Sequence, residues 1–220
     1  MKLNQYIDHT VLKATATTSD VSQLCAEAKA HEFFSVCINS SWVPLAKSLL
    51  AGSSVKVCSV VGFPLGAMSC AAKVFEASTA VSDGADEIDM VINVGLLKDG
   101  QAEAVRDEIR AIKQAIGTRV LKVIFETCYL TDEEKALACK LSVEAGADFV
   151  KTSTGFGTGG ATLEDVRLML DTVAGRAKVK ASGGVKDAEA AIKFIEMGVM
   201  RLGTSNGIKI VAGESAGDGY

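Results

Sequence analysis

The sequence predicts a (β/α)8 barrel, and three observations carry that prediction. Short apolar stretches alternate with amphipathic ones eight times along 220 residues, without a linker or a break in composition. Such alternation implies a parallel sheet with helical crossovers. Helix ends closed by glycine feed strands after tight turns at Ser82-Asp83-Gly84-Ala85-Asp86, Glu144-Ala145-Gly146-Ala147-Asp148 and Met197-Gly198-Val199. The runner-up architecture is an open, doubly wound sheet. The length is near the small end of the barrel range. It suits one domain over residues 1–212, with a flexible tail over 213–220.

A short N-terminal helical segment leads into a strand at Tyr6-Ile7-Asp8-His9-Thr10. Thr17, Thr18, Ser19 and Asp20 offer caps for a helix whose Val21, Leu24, Cys25 and Ala28 recur at helical spacing. Phe33 to Asn39 forms a second strand, and the helix Trp42 to Leu50 carries Pro44 in its first turn, where no N–H is needed. Val55 to Phe63 is the third strand, stopped by Pro64-Leu65-Gly66. The next helix is expected to bury Ala71, Val74, Phe75, Ser78 and Val81 and to close at Asp83-Gly84. Glu87 to Asn93 reads as the fourth strand, and Ala102 to Ile116 as a helix with Ala104, Val105, Ile109 and Ile112 on one face. Val120 to Glu126 is the fifth strand. Thr131 with Asp132, Glu133 and Glu134 then suits the positive end of a helix dipole. The remaining units are a strand around Lys151, a helix from Thr162 to Val173, a strand around Lys180 and a helix from Asp187 to Met197. A short strand Met200-Arg201-Leu202 and a final helix from about Ser205 complete the chain.

Hydrophobic residues make up 48% and charged residues 23%, as in soluble globular proteins. A net charge of −4 provides no attraction to nucleic acid or to an anionic membrane. The N-terminus lacks the apolar run of a signal peptide, and no segment reaches the ~20 apolar residues of a membrane span. A cytoplasmic protein is therefore expected, and a homo-oligomer is compatible with these features. The six cysteines (Cys25, Cys37, Cys58, Cys70, Cys128 and Cys139) form no CxxC pair and read as buried thiols in a reducing compartment. His9 and His31 stand in unrelated contexts, which speaks against a His-based metal site or a Ser-His-Asp triad. A mechanism without metal or cofactor is favoured.

Active sites of barrels lie where the strands end and on the loops that follow. In Phe149-Val150-Lys151-Thr152-Ser153-Thr154-Gly155-Phe156, a lysine stands in a strand whose packing favours Val or Ile. Lys180 repeats the pattern in Lys178-Val179-Lys180-Ala181-Ser182-Gly183-Gly184. One such lysine is compatible with a side chain that snorkels to water. Two point to an amine nucleophile with a cationic neighbour. Lysine attacks a carbonyl only as the neutral amine, which desolvation and a nearby cation both favour. Further polar residues fall on strands: Asp8 at the end of the first, Cys37 and Asn39 on the second, Asp89 on the fourth. Lys122 and Glu126 share one face of the fifth. Burying unpaired charge is costly, so Asp8 and Asp89 are expected to offset the lysines, and they supply a proton acceptor.

Gly183 and Gly184 follow the seventh strand, and Gly203, Thr204 and Ser205 follow the eighth. Glycine lets backbone N–H groups approach an anion, and the helix expected near Ser205 aims its positive end the same way. Barrels commonly hold phosphate on these two loops. These residues leave two other readings open. One is a phosphosugar isomerase with Glu126 or Asp89 as base, and the other is a non-catalytic phosphate-binding barrel.

Six segments carry a resemblance to a known family. They are Ile7-Asp8-His9-Thr10, Val60-Val61-Gly62-Phe63-Pro64-Leu65-Gly66, the stretch Glu87 to Gly95, Lys122-Val123-Ile124-Phe125-Glu126-Thr127, and the two lysine segments quoted above. In order and over nearly the whole chain, they resemble the deoxyribose-phosphate aldolases of the class I, Schiff-base type. The resemblance implies that Lys151 forms the Schiff base, that Lys180 perturbs it, and that Asp89 serves in proton transfer. It places Asp8, Cys37 and Lys122 along the pocket, with Thr152 in a supporting position. The implied substrates are a phosphosugar and an aldehyde, and the implied reaction is reversible cleavage of 2-deoxy-D-ribose 5-phosphate to acetaldehyde and D-glyceraldehyde 3-phosphate. Another Schiff-base barrel aldolase would share the lysine and accept a different donor. The resemblance also implies that the terminal Tyr220 folds over the barrel mouth, against the plain expectation of a frayed end. Ala14 and Ser40 stand where proline is common in the family, and Asn206 where a second serine is frequent. None of the three touches the proposed catalytic set.

Overall fold

The computed structural model describes residues 2–213. Eight parallel strands close on one another in chain order: β1 (Ile7–Val11), β2 (Ser35–Ile38), β3 (Lys56–Val61), β4 (Glu87–Val91), β5 (Val120–Ile124), β6 (Phe149–Lys151), β7 (Lys178–Ser182) and β8 (Arg201–Thr204). The barrel is sealed where Ile7 meets Leu202 and Asp8 meets Gly203. Its helices are α1 (Thr18–Ala30), α2 (Val43–Leu49), α3 (Cys70–Ser82), α4 (Val94–Lys98), α5 (Ala102–Ile116), α6 (Asp132–Glu144), α7 (Leu163–Val173), α8 (Ala188–Met197) and α9 (Gly207–Ala212). The expected single-domain (β/α)8 barrel is the fold that forms. The expected tail, Tyr220 included, lies outside the described residues from 214 onward.

The helices begin where the sequence offers side-chain oxygens to their free N–H groups. Thr17 and Asp20 form a reciprocal capping box at α1, and Thr131 and Glu134 do the same at α6. Thr162 and Asp187 cap α7 and α8. Along the strands, side chains alternate between faces. The outer faces carry residues such as Val36, Ile88, Met90, Val123, Val150 and Val179, which are buried under the helices and make up the main apolar core. The inner faces are largely polar, although Leu12, Cys37, Cys58 and Val60 fill one side of the interior. Barrels usually fill these inner layers with Val, Ile and Leu.

Several local expectations are corrected. α3 buries Lys73, Ala77 and Ala80, while Phe75 is 75% exposed. Ala71 is exposed, and Val74, Ser78 and Val81 are only half-buried. The cause is an ion pair: Lys73 Nζ lies 2.8 Å from Glu108 on α5 and donates to the Val91 carbonyl at 2.9 Å. Glu108 likewise joins the buried face of α5, and Ala104 is exposed.

Strands β3, β4 and β5 end short of Phe63, Asn93 and Glu126. Asn93 leaves the sheet to accept the Leu96 N–H at 3.1 Å, capping α4, a helix not expected from the sequence. Glu126 turns away through a left-handed conformation with φ of 56°. Asp8 is the second residue of β1, not its last, and so sits deep in the barrel. β8 runs on to Thr204, and α9 starts at Gly207 and has six residues. The final helix is thus short and begins two residues after the expected start near Ser205.

Candidate active site

Strand register brings the charged groups together, because partners on adjacent parallel strands point the same way. Lys151 is the register partner of Lys180, Lys180 that of Arg201, and Asp89 that of Lys122. The Asp89 carboxylate is the hub. Its Oδ2 accepts from Lys151 Nζ at 2.9 Å and Lys180 Nζ at 2.8 Å, and its Oδ1 accepts from Lys122 Nζ at 2.8 Å. Lys180 also donates to Asp8. Asp8 Oδ1 accepts from Ser35 and from the Arg201 guanidinium, each at 2.7 Å. Arg201 reaches Glu87 at 2.8 Å, and Glu87 returns to Lys122 at 2.6 Å. The result is a closed ring of Asp89, Lys180, Asp8, Arg201, Glu87 and Lys122, to which Lys151 is bonded through Asp89, four cations and three carboxylates in all.

These groups are almost fully removed from water: Asp8, Asp89, Lys122 and Lys180 are 0% exposed and Lys151 is 3% exposed. Burial opposes ionisation of Asp89, yet Lys122, Lys151 and Lys180 hold its carboxyl well below the usual range. Asp8 behaves alike: burial is outweighed by Lys180, Arg201 and Lys122. Burial disfavours the ammonium of Lys180, but Asp8 and Asp89 raise its pKa. Lys122 is raised for the same reason, chiefly by Asp89 against burial. In this ring Lys180 and Lys122 are firmly cationic. Gly203 makes room for it, because a Cβ there would stand 2.9 Å from the Ser182 side chain and 3.1 Å from Lys180 Cε.

Above the ring a cavity of about 330 Å³ opens at the C-terminal ends of the strands. Lys151 borders it at the floor, and Gly183, Gly203, Thr204 and Ser205 border it at the side. Asp8, Cys37, Lys122, Asp89 and Lys180 are not among its lining residues; they lie buried with the ring. Gly184 borders a neighbouring groove beside α8. Thr152 does not face the cavity either. Its hydroxyl donates to the Ser182 carbonyl at 2.9 Å and accepts the Ser182 N–H at 3.0 Å, tying β6 to β7. Glu126 accepts from the Thr154 hydroxyl, and burial raises its pKa.

Cys37, Cys58 and Asp89 bring potential metal ligands within 4.8 Å of one another. Both Asp89 oxygens are already taken by ammonium groups, whose charge opposes a bound cation. Cys58 Sγ lies 3.1 Å from Asp89 Oδ1, and its own thiol is pushed well up by burial. The neighbouring Cys58 thiol and then Lys180 draw Cys37 down to about 7, against its burial. His9 is occupied structurally, with Nε2 2.7 Å from Glu27.

Glu87, Arg201, Ser35 and Cys58 belong to the ring or touch it, and none was expected. Glu87 lies two residues before Asp89 on the same strand face, so alternation could have found it. Arg201 could not be placed without register, since only pairing of β7 with β8 sets it opposite Lys180.

A closed parallel barrel with a lysine–carboxylate cluster below the mouth defines a barrel enzyme that works on small molecules. Residues 2–217 match the family model described as DeoC/LacD family aldolase. The chain belongs to that family and is an aldolase, a lyase. It is 58% identical over 221 residues to a deoxyribose-phosphate aldolase of Brevibacillus brevis, covering all of both chains. Its fold is similar to that of "QR15, an Aldolase", with a TM-score of 0.92 and 44% identity, over 96% of this chain and 94% of the other. It is also similar to the deoxyribose phosphate aldolase of Aeropyrum pernix, described as having a unique tetrameric structure. There the TM-score is 0.88 and the identity 34%, over 96% of this chain and 89% of the other. No helix among the described residues is long and apolar enough to cross a membrane.

Proposed function

We propose that the enzyme reversibly cleaves 2-deoxy-D-ribose 5-phosphate to acetaldehyde and D-glyceraldehyde 3-phosphate through a Schiff base on Lys151. The observation that carries this reading is the position of Lys151. It is the one ammonium of the buried ring that also borders the cavity. Four cations face three carboxylates, so the ring becomes neutral when one of them gives up a proton. Lys151 is the member whose amine a substrate can reach.

In the cleavage direction the Lys151 amine adds to the C1 aldehyde, and water leaves to give the iminium. The C3 hydroxyl gives up its proton, the C2–C3 bond breaks, and its electron pair flows to the iminium as an enamine. Glyceraldehyde 3-phosphate departs. The enamine carbon takes a proton, and water hydrolyses the resulting iminium to acetaldehyde and free Lys151. Asp89 and Lys180 move these protons through water. The bonds of Asp89 to Lys151 and Lys180 keep it poised beside the reacting nitrogen. Backbone N–H groups of the loops at Gly183–Gly184 and Gly203–Ser205 receive the phosphate. That reaction suits the degradation of deoxyribonucleotides and carbohydrates, a cytoplasmic enzyme is in keeping with the sequence, and the tetrameric relative supports a homo-oligomer.

The test is reductive trapping. Borohydride added with acetaldehyde fixes a two-carbon adduct on Lys151, located by peptide mapping. An adduct on Lys180 exchanges the two roles, and no adduct at all removes the amine mechanism.

A further inference from the structure

We infer that Lys13 is the cation that recognises the substrate phosphate, reaching it across the barrel mouth from the loop after β1. The inference rests on the proposed cleavage of a phosphorylated sugar. Among the described residues that line the 330 Å³ cavity, the only charged side chains are Lys151 and Lys13. Lys151 is committed to the floor, where it bonds Asp89. The wall intended for the anion, Gly203, Thr204 and Ser205, offers backbone groups and hydroxyls but no charge. A dianion brought out of water against backbone N–H groups alone lacks a counter-ion, and a charge-assisted bond contributes more than a neutral one.

Barrel closure puts Lys13 in the right quarter. β1 and β8 are neighbours, with His9 opposite Thr204, so the loop leaving β1 stands beside the Thr204–Ser205 turn. Other candidates fail on position. Lys186, after β7, does not border the cavity, and the turn after β6 ends in the apolar Phe156.

Lys13 is held ready without being used up. Its Nζ lies 2.9 Å from Asp20 Oδ1, while Asp20 Oδ2 is bound by the Thr17 N–H at 2.8 Å and the Thr17 hydroxyl at 2.6 Å. Asp20 is thus fixed by capping α1 whether or not Lys13 stays. The Lys13 side chain is 54% exposed, and an ion pair that wet contributes little, so a phosphate dianion competes for the ammonium. Lysine on its flexible stem suits such a transfer as a mobile point charge.

The experiment compares wild type, Lys13→Gln and Lys13→Arg on 2-deoxyribose 5-phosphate and on unphosphorylated 2-deoxyribose. In Lys13→Gln the ratio of kcat/KM for the phosphorylated over the plain sugar falls about tenfold, mainly through KM, and Lys13→Arg recovers most of it. Binding of inorganic phosphate, followed by calorimetry without substrate, weakens in Lys13→Gln by a similar factor. An unchanged ratio, or an equal loss on both sugars, overturns the inference, as does unchanged phosphate binding. A wild type that cleaves neither sugar sinks the proposed function instead, and phosphate calorimetry then still decides the role of Lys13.

Discussion

Lys151 and Lys180 are register partners on adjacent strands, and both ammonium groups bond one oxygen, Oδ2 of Asp89, at 2.9 and 2.8 Å. Two cations of the same charge are held side by side by a single carboxylate. Removing any one of the three changes the charge felt by the other two, and that coupling underlies the first two predictions.

Lys180→Leu removes the deeper ammonium and leaves Asp8 and Asp89 with one partner fewer. Turnover is expected to fall by about 10²-fold or more, since proton transfer by a positioned group contributes at least that much. Borohydride trapping on Lys151, run beside the rate, reports whether the nucleophile survives. A variant with wild-type rate and pH profile would remove Lys180 from the mechanism.

Asp89→Asn keeps the shape of the hub and removes its charge. Turnover is expected to drop by roughly 10²-fold while trapping of Lys151 persists. Exchange of acetaldehyde methyl protons with D2O should slow in parallel. Exchange at the wild-type rate would assign the proton to another group.

Arg201 and Glu87 pair beneath the lysines, with the guanidinium lying over the Phe34 ring. Arg201→Met leaves Glu87 and Asp8 short of positive charge in a buried layer. Breaking one partner of a buried pair costs about 3–5 kcal/mol, so the urea midpoint is expected to fall with little change in m-value. Glu87→Gln in the same background should recover part of the loss. A midpoint equal to wild type for Arg201→Met would mean that water enters this layer.

Stability against pH follows from the same ring. The carboxyls of Asp8 and Asp89 are held down in the folded chain, so the unfolded chain takes up protons first as pH falls. Their contribution is complete above the unfolded value of roughly 3.9 and is lost progressively below it. Lys122 and Lys180 are raised, so their contribution is complete below roughly 10.4 and is lost as pH rises further. The lysines and carboxylates therefore predict an acid limb and an alkaline limb with a flat span between them. Urea unfolding between about pH 2.5 and 5 tests the first. Asp8→Asn should make that limb shallower, and an identical slope would place the acid sensitivity elsewhere.

Much of the architecture was legible in the chain because it depends on local chemistry. Strand–helix alternation, the caps at Thr17 and Thr131, and the two strand lysines before glycine turns are short-range features. The family segments carried the roles of Lys151, Lys180 and Asp89 as expectations.

What the sequence by itself determined was therefore the barrel, the order of its elements, and a set of ionisable residues too costly to bury alone. Their pairing was decided by tertiary structure. Arg201 meets Asp8 across 193 positions of chain, and Lys180 meets Asp8 across 172, distances over which no local pattern carries information. The same holds for Lys73, which enters α3's buried face because Glu108, on another helix, is there to neutralise it. Hydrophobic periodicity assigned that face to Phe75, since the pattern ranks side chains by their own affinity for water. A buried charge reverses the ranking only when its partner is in place, and here the packing of α3 against α5 brings the partner.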